Sequence, residues 1–257
     1  MKNQKQLIIG LVVLVLVVIL AIILILGGGK GAAKEDAAQV QAGVQYLQQL
    51  EAQSTEAVEA ELKEIRRQER LEALENGEID VWQQLEDAVI LGDSRAVGFY
   101  YFGYMPQTRV LAEAGDTILK VEEHLDELKT LNPSQVFLCY GINDIGIGIW
   151  PTAEEYVEAM AGVIESVYET LPDTEVFVNG ILIARDPAFS RNSAWYDIPE
   201  YNEALKVMCE EKGYNFIDNA ALCETYADMW ETDGIHVRTT FYPYWAANLV
   251  EATYEEE

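Results

Sequence analysis

From residue 81 onward, short apolar runs alternate with amphipathic stretches. This alternation is typical of an α/β domain whose strands pair in parallel and are joined by crossover helices. Five runs are candidate strands: residues 88–91, 109–112, 136–140, 175–184 (interrupted at Gly180) and 216–217. We therefore expect a mainly parallel five-stranded sheet within a domain that covers residues 81–257.

Three of the amphipathic stretches have the start and stop signals of helices. They are residues 117–131, which end before Pro133, residues 152–171, which begin at Thr152, and residues 201–212, which end before Gly213. Residues 185–199 have no clear period. We expect a long loop there, near the strand ends, with function or disorder as the alternatives.

Residues 7–26 form an apolar run of 20 residues without a charge. At about 1.5 Å per residue a helix of this length spans roughly 30 Å, the thickness of a bilayer core. The run is longer than a secretory core and ends in glycines, which favours an uncleaved anchor over a cleaved signal. We assign residues 1–30 to a cytoplasmic tip and a transmembrane anchor, with the rest of the chain outside the cytoplasm.

Residues 31–80 connect the anchor to the α/β domain and are rich in Ala, Glu, Gln and Leu, which is helix composition. Glu51 and Ser54 interrupt a partial heptad pattern, so a sustained coiled coil is not established. Two alternatives remain open, a helical spacer and a helix folded back onto the domain.

The exported part of the chain is strongly acidic. Residues 35–257 hold all 44 Asp and Glu but 13 of the 17 Lys and Arg, a net charge of −31. Such a domain repels phosphate backbones, so nucleic acid is excluded as a partner.

Three cysteines are present, at positions 139, 209 and 223. Their spacing does not resemble a metal site. Cys139 lies in an apolar run and is expected to be a buried core residue. A disulfide between Cys209 and Cys223 is left open.

Polar and glycine residues follow three of the candidate strands, at the sheet edge where parallel α/β folds bind ligands. These motifs are Gly92-Asp93-Ser94-Arg95, Ala114-Gly115 and Gly141-Ile142-Asn143-Asp144. Read singly, Ser94 is also a good helix N-cap and the Gly141 motif a good turn.

A serine becomes nucleophilic when a histidine, oriented by a carboxylate, removes its proton. Of the two histidines, His124 lies among acidic residues of an amphipathic stretch, whereas His236 has Asp233 three residues before it. Donors for the oxyanion of acyl transfer are available at the Ser94 and Gly115 N–H groups and the Asn143 amide.

Taken in chain order, these motifs resemble those of the SGNH/GDSL hydrolases. The resemblance covers roughly residues 86–250. It implies a three-layer α/β/α fold, a Ser94–His236–Asp233 triad, an oxyanion hole at Ser94, Gly115 and Asn143, and no cofactor or metal.

Arg95 departs from the family pattern, which has leucine there, and could pair with Asp93, bind an acidic substrate group or face solvent. The candidate substrate contacts are Asp93, Arg95, Asp144, Arg185, Trp195 and Tyr196.

The resemblance implies a serine esterase that removes acyl groups from carbohydrate at a bacterial cell surface. Acetyl is the acyl group that we expect. An O-acetyltransferase of envelope polysaccharide, working beside a membrane-bound acyl donor protein, uses the same acyl-enzyme. Lysophospholipase or thioesterase activity and a non-catalytic stalked binding module are further alternatives.

Overall fold

The computed structural model describes Gly43 and residues 55–254, with side chains from residue 61 onward. The chain divides into two compact units, Met1–Leu62 and Lys63–Glu257. Among the described residues no helix is long and apolar enough to cross a membrane. The apolar run at residues 7–26 lies outside the described residues.

Strands and helices alternate through the second unit. The strands are β1 (Ala88–Gly92), β2 (Val110–Ala112), β3 (Gln135–Cys139), β4 (Glu175–Asn179) and β5 (Asn215–Ile217). The α-helices are α1 (Thr55–Glu75), α2 (Val81–Gln84), α3 (Gly98–Tyr101), α4 (Leu125–Leu131), α5 (Ile142–Ile147), α6 (Ala153–Thr170), α7 (Ala188–Arg191), α8 (Ile198–Lys212), α9 (Ala220–Thr225) and α10 (Tyr242–Glu251). Short 3₁₀ helices cover Gln107–Arg109, Ile118–His124, Ser193–Asp197, Ala227–Met229 and Thr239–Phe241.

Within the described residues the strands form one five-stranded sheet in the order β2-β1-β3-β4-β5. Every neighbouring pair is parallel, with Leu91 opposite Leu138 in the central pair. The predicted parallel sheet is confirmed. The fourth strand ends at Asn179 rather than at residue 184, because the Asn202 amide takes over both the N–H and the carbonyl of Ile181, at 2.7 and 2.9 Å.

Side chains of the central strands alternate between two apolar layers, as the pleat of a strand requires. Leu91 and Leu138 pack in one layer with the 3₁₀ helix Ile118–His124, α4, α6 and α8. Ile90 and Phe137 pack in the other with α2, α3, α9, α10 and Leu74 of α1. The second unit is therefore a three-layer α/β/α domain.

The stretch predicted as one helix from residue 117 to residue 131 is two elements, the 3₁₀ helix Ile118–His124 and then α4. Of the apolar residues that predicted this helix, Ile118, Val121 and Leu128 are fully inaccessible, and Leu125 and Leu131 are half-buried. Spacings of three residues, as from Ile118 to Val121, suit a 3₁₀ helix as well as an α-helix, so the pattern did not separate the two.

Residues 185–199 are not the irregular loop that we predicted. They contain α7 and the 3₁₀ helix Ser193–Asp197, and α8 begins at Ile198 rather than at residue 201. Helices of four and five residues are too short to show a period.

The last part of α1 packs on the domain. Leu74 is 3% exposed, the Arg70 guanidinium lies 3.0 Å from the Glu251 carboxylate, and the Tyr226 hydroxyl donates to Glu75 at 2.9 Å. Residues 63–80 of the predicted spacer thus belong to the second compact unit.

All three cysteines are buried and free. Cys209 lies in α8 and Cys223 in α9, and these helices belong to opposite layers of the domain. Because the sheet separates them, the two sulfur atoms do not form a disulfide.

Candidate active site

The strand order brings the three glycine-containing motifs together. β1 lies between β2 and β3, so the turn that carries Ser94 lies between the Gly115 loop and the start of α5. The chain leaves β1 towards one side of the sheet and returns to β3 on the other, and such a switch point is where open α/β sheets bind ligands.

Ser94 occupies a tight turn directly after β1. The Val97 N–H donates to the Asp93 carbonyl across this turn at 3.2 Å. The Ser94 side chain is half-buried, and its Oγ lies 3.0 Å from Nε2 of His236. The fold therefore joins a hydroxyl and an imidazole that are 142 residues apart in the chain.

Asp233 holds both the backbone and the ring of His236. One carboxylate oxygen accepts the N–H groups of Ile235 and His236 at 2.8 and 2.9 Å, and the other lies 2.6 Å from Nδ1 of His236. The Asp233 carboxylate thus binds both the backbone and the ring of His236. These bonds orient the imidazole towards Ser94.

These contacts set the ionisation of Asp233 and the tautomer of His236. Burial raises the pKa of Asp233, but hydrogen bonds from the His236 ring and from two backbone N–H groups outweigh it and lower the pKa to about 2. An ionised carboxylate only accepts hydrogen bonds, so Nδ1 of His236 carries a proton, and Nε2 is the ring nitrogen that faces Ser94.

Gly234 allows the turn between Asp233 and His236 to lie close to its neighbour. Its φ is +74°, and a Cβ there would lie 2.1 Å from the Arg185 carbonyl oxygen. A residue with a side chain would be strained and would also clash with the backbone, so the turn requires glycine.

Gly115 lies in the turn after β2, and Asn143 lies in the first turn of α5. Gly115 is exposed, in a turn with φ +93°, and Asn143 donates from Nδ2 to the Asp116 carbonyl at 2.9 Å. An amide has two N–H donors, so the second remains available to a ligand.

Three of the candidate substrate contacts are instead buried. Asp93, Arg95 and Asp144 are 0, 3 and 1% exposed. The Arg95 guanidinium lies 3.4 Å from the Asp93 carboxylate and donates to the Leu182 carbonyl at 2.7 Å. Their placement corrects the expectation of substrate contact, because each is enclosed and bound to other parts of the protein.

The other three candidates lie in or beside the segment with α7. Arg185 donates to the Cys223 carbonyl at 2.5 Å and covers the Trp230 ring, and Trp195 donates to the Ile142 carbonyl at 2.8 Å. These contacts brace the fold. Tyr196 is 60% exposed and stacks on Phe189 at 3.9 Å, so it keeps a surface for a ligand.

Sequence reasoning missed two residues that hold the site. Arg191 donates to the Asp233 carbonyl, and Asp116 supplies the carbonyl that binds Asn143. Asp116 follows Gly115 directly, and a polar residue next to a glycine turn could have been predicted to bind a neighbouring loop. Arg191 could not have been found in this way, because the sequence of residues 185–199 shows no periodicity.

A comparison with family models agrees with the resemblance to SGNH/GDSL hydrolases. The model of the GDSL-like lipase/acylhydrolase family matches residues 90–242, which includes every motif described above. The chain belongs to this family. It is therefore a hydrolase of the esterase type. No curated protein matches the chain.

Solved structures of similar fold come from the same group of enzymes. A lipase/acylhydrolase from Enterococcus faecalis is 18% identical, with 63% of this chain and 93% of that chain covered and a TM-score of 0.51. An acetylxylan esterase from Geobacillus stearothermophilus is 17% identical, with 66% and 95% covered and a TM-score of 0.50. A second acetylxylan esterase is 17% identical, with 65% and 100% covered and a TM-score of 0.50. At these identities the likeness shows the fold.

The described residues contain no group of three or more His, Cys, Asp or Glu that could hold a metal ion. The described side chains place the Ser94 hydroxyl within hydrogen-bond distance of the His236 imidazole, and this is the arrangement that nucleophilic attack by a serine requires.

Proposed function

We propose that the protein hydrolyses acyl esters through a covalent intermediate on Ser94. The contact between Ser94 Oγ and His236 Nε2 at 3.0 Å carries the proposal. As Oγ attacks the ester carbonyl, its proton passes to Nε2, and the new imidazolium is stabilised by Asp233. The negative oxygen of the intermediate binds the N–H groups of Ser94 and Gly115 and the Asn143 amide.

Collapse of this intermediate breaks the bond to the alcohol, which leaves with the proton from His236. Water then attacks the acyl group on Ser94, gives its proton to Nε2, and the acid is released as Oγ takes the proton back. The His236 side chain is 45% exposed, which supports access of water to the acyl-enzyme.

The proposed substrates are acetyl esters of carbohydrate. Two enzymes of the same fold are acetylxylan esterases. Phe189 and Tyr196 form a stacked aromatic pair on the segment whose Arg191 binds the Asp233 carbonyl. Exposed aromatic faces are suited to contact with sugar rings.

The proposed location is the outer face of a membrane, with residues 7–26 as the anchor. The length and apolar character of this run support it. We expect the full-length protein to stay in the membrane during alkaline extraction. We also expect protease added outside intact cells to cleave the hydrolase domain. Release of the protein by alkali, or protection of the domain in intact cells, would contradict it.

The reaction is tested by replacing the two central residues. We expect Ser94→Ala and His236→Ala to lower kcat for p-nitrophenyl acetate by about 10³-fold or more, because the triad acts as a unit. His124→Ala is the matched control, since His124 is partly exposed beside Glu127 on another element, and it should retain full activity. Activity that survives Ser94→Ala would rule out the acyl-enzyme.

The substrate is tested with p-nitrophenyl esters of increasing chain length and with acetylated xylan oligosaccharides. We expect the highest kcat/KM for acetyl, and release of acetate from the sugars. A preference for long chains would exclude the carbohydrate assignment and leave the serine mechanism intact. Product analysis with added sugar acceptors separates hydrolysis from transfer, and transfer in excess of hydrolysis would make the protein an acetyltransferase.

A further inference from the structure

Asp144 is a buried carboxylate beside the site that the mechanism above does not use. It is 1% exposed, in the first turn of α5, directly after Asn143. Burial raises the pKa of its carboxyl to about 7, although a hydrogen bond from Ile118 opposes the rise. A carboxylate buried at this depth destabilises the fold unless its contacts compensate, so its contacts indicate what it is for.

Its partner is the first N–H of a helix in another part of the chain. One carboxylate oxygen of Asp144 accepts the Ile118 N–H at 3.1 Å. Ile118 begins a 3₁₀ helix whose own N-cap residue, Thr117, makes no side-chain capping bond within the described residues. The first N–H groups of a helix need an outside acceptor, and Asp144 provides one from α5.

This bond lies beside the one made by Asn143. Asn143 binds the Asp116 carbonyl and Asp144 binds the Ile118 N–H, so consecutive side chains of α5 hold residues two apart in the facing loop. Asp116 also closes that loop on itself, since its side chain accepts the Glu113 N–H at 3.1 Å. The loop is therefore one rigid turn with two attachments to α5, and Gly115 is part of it.

We propose that Asp144 is a positioning residue which, through the Ile118 N–H, fixes the loop that presents the Gly115 N–H to the oxyanion. The inference rests on the proposed function, because it assigns Asp144 to the same reaction. Asp144 itself is enclosed and does not touch substrate. Its loss leaves the Asn143 bond as the one described side-chain hydrogen bond from α5 to the loop, so the Gly115 donor is less well aligned with the developing charge.

The test compares Asp144→Ala with Asp144→Asn in the full-length protein, with p-nitrophenyl acetate as the probe. Asp144→Asn keeps an oxygen for Ile118, and we expect kcat within about three-fold of the natural protein. Asp144→Ala lacks the acceptor, and we expect kcat to fall about ten- to hundred-fold with KM changed less than about three-fold. Hydrogen exchange should be faster in residues 113–118 of the alanine variant and unchanged in the central strands.

Asn248→Ala is the matched control. Asn248 is 8% exposed and donates to Asp218 and Asn219 on the far side of the sheet, so its loss lowers stability without reaching the loop. We expect its kcat to stay unchanged. If Asp144→Ala does not fold, Asp144→Ser, whose side chain is too short to reach Ile118, takes its place.

An unchanged kcat in the folded alanine variant would overturn the inference, as would an equal loss of kcat in Asn248→Ala. So would faster exchange spread evenly over the domain. These outcomes are separate from failure of the proposed function, which is decided by Ser94→Ala. If that variant stays active, the exchange of residues 113–118 still shows whether Asp144 holds the loop.

Discussion

The pair of Asp233 and His236 makes one contribution to the stability of the protein that depends on pH. The pKa of Asp233 is lowered to about 2 from 3.8 by the contacts with His236 and Ile235. A depressed pKa contributes stability that is present above about pH 4 and is lost as the pH falls towards 2. We predict that the difference in unfolding free energy between the natural protein and Asp233→Asn is largest above pH 4 and shrinks at lower pH. Urea unfolding of both proteins from pH 6 to pH 2 measures it, and a difference independent of pH would contradict it.

The buried ion pair beside the nucleophile is a second residue-scale feature. Arg95 and Asp93 are 3 and 0% exposed, so removal of the cation leaves a buried negative charge that, among the described residues, only the backbone N–H of residue 95 still binds. We predict that Arg95→Leu, which installs the family residue, lowers the unfolding free energy by about 3–5 kcal/mol.

Urea unfolding measures this loss, and Arg109→Leu is its control. Arg109 pairs with Asp87, whose side chain is 59% exposed, and loss of such a surface pair lowers stability by about 1 kcal/mol at most. Equal effects of the two substitutions would show that the buried pair adds nothing. Addition of Asp93→Asn to Arg95→Leu should restore part of the loss.

At this scale the sequence was informative where partners are close in the chain. Asp233 and His236 are three residues apart, and the structure joins them as the spacing predicts. Arg95 pairs with Asp93, two residues before it, which is one of the three alternatives that the sequence left open. Its contact with the Leu182 carbonyl, 87 residues away, had no signal in the sequence. The distance that decides the site, from Ser94 to His236, is likewise a property of the fold and not of any segment.

At the scale of elements, the end of α1 is a structural part of the domain. Leu74 is 3% exposed, whereas Leu62, earlier in the same helix, is 47% exposed. We predict that Leu74→Ala lowers the unfolding free energy by about 2–5 kcal/mol through lost burial and the cavity left behind. Leu62→Ala should change it by less than about 0.5 kcal/mol. Chemical denaturation of both variants measures the contrast, and equal small effects would mean that the helix end is not part of the cooperative unit.

The strands were predicted better than the ends of elements and the short helices. The sheet could be predicted from runs such as residues 88–91. A strand that is buried on both faces has apolar residues only, and this pattern is visible in the sequence. The end of β4 was missed because the Asn202 side chain, not a local breaker, takes the backbone of Ile181. The short helices at residues 188–197 were missed because one turn of helix has no repeat to detect.

At the scale of the whole molecule, charge is the dominant feature. Residues 35–257 carry a net charge of −31, so the compact state is destabilised by its own repulsion. We predict that raising NaCl from about 0.02 to about 0.5 M increases the melting temperature by a few degrees, since salt screens this repulsion. Thermal unfolding across the series measures it. A melting temperature that falls or stays constant would show that attractive pairs outweigh the repulsion.

The turn from Asp233 to His236 joins two members of the proposed triad into one piece. Carboxylate and imidazole are fixed to each other within this turn, and the serine is fixed to β1, so proton transfer between them depends on the distance that separates the turn from the end of β1. A displacement of the turn by one or two ångströms would silence the enzyme with both pieces intact. Arg185 and Arg191 hold the turn in its place, since they donate to the carbonyl groups of Gly234 and Asp233.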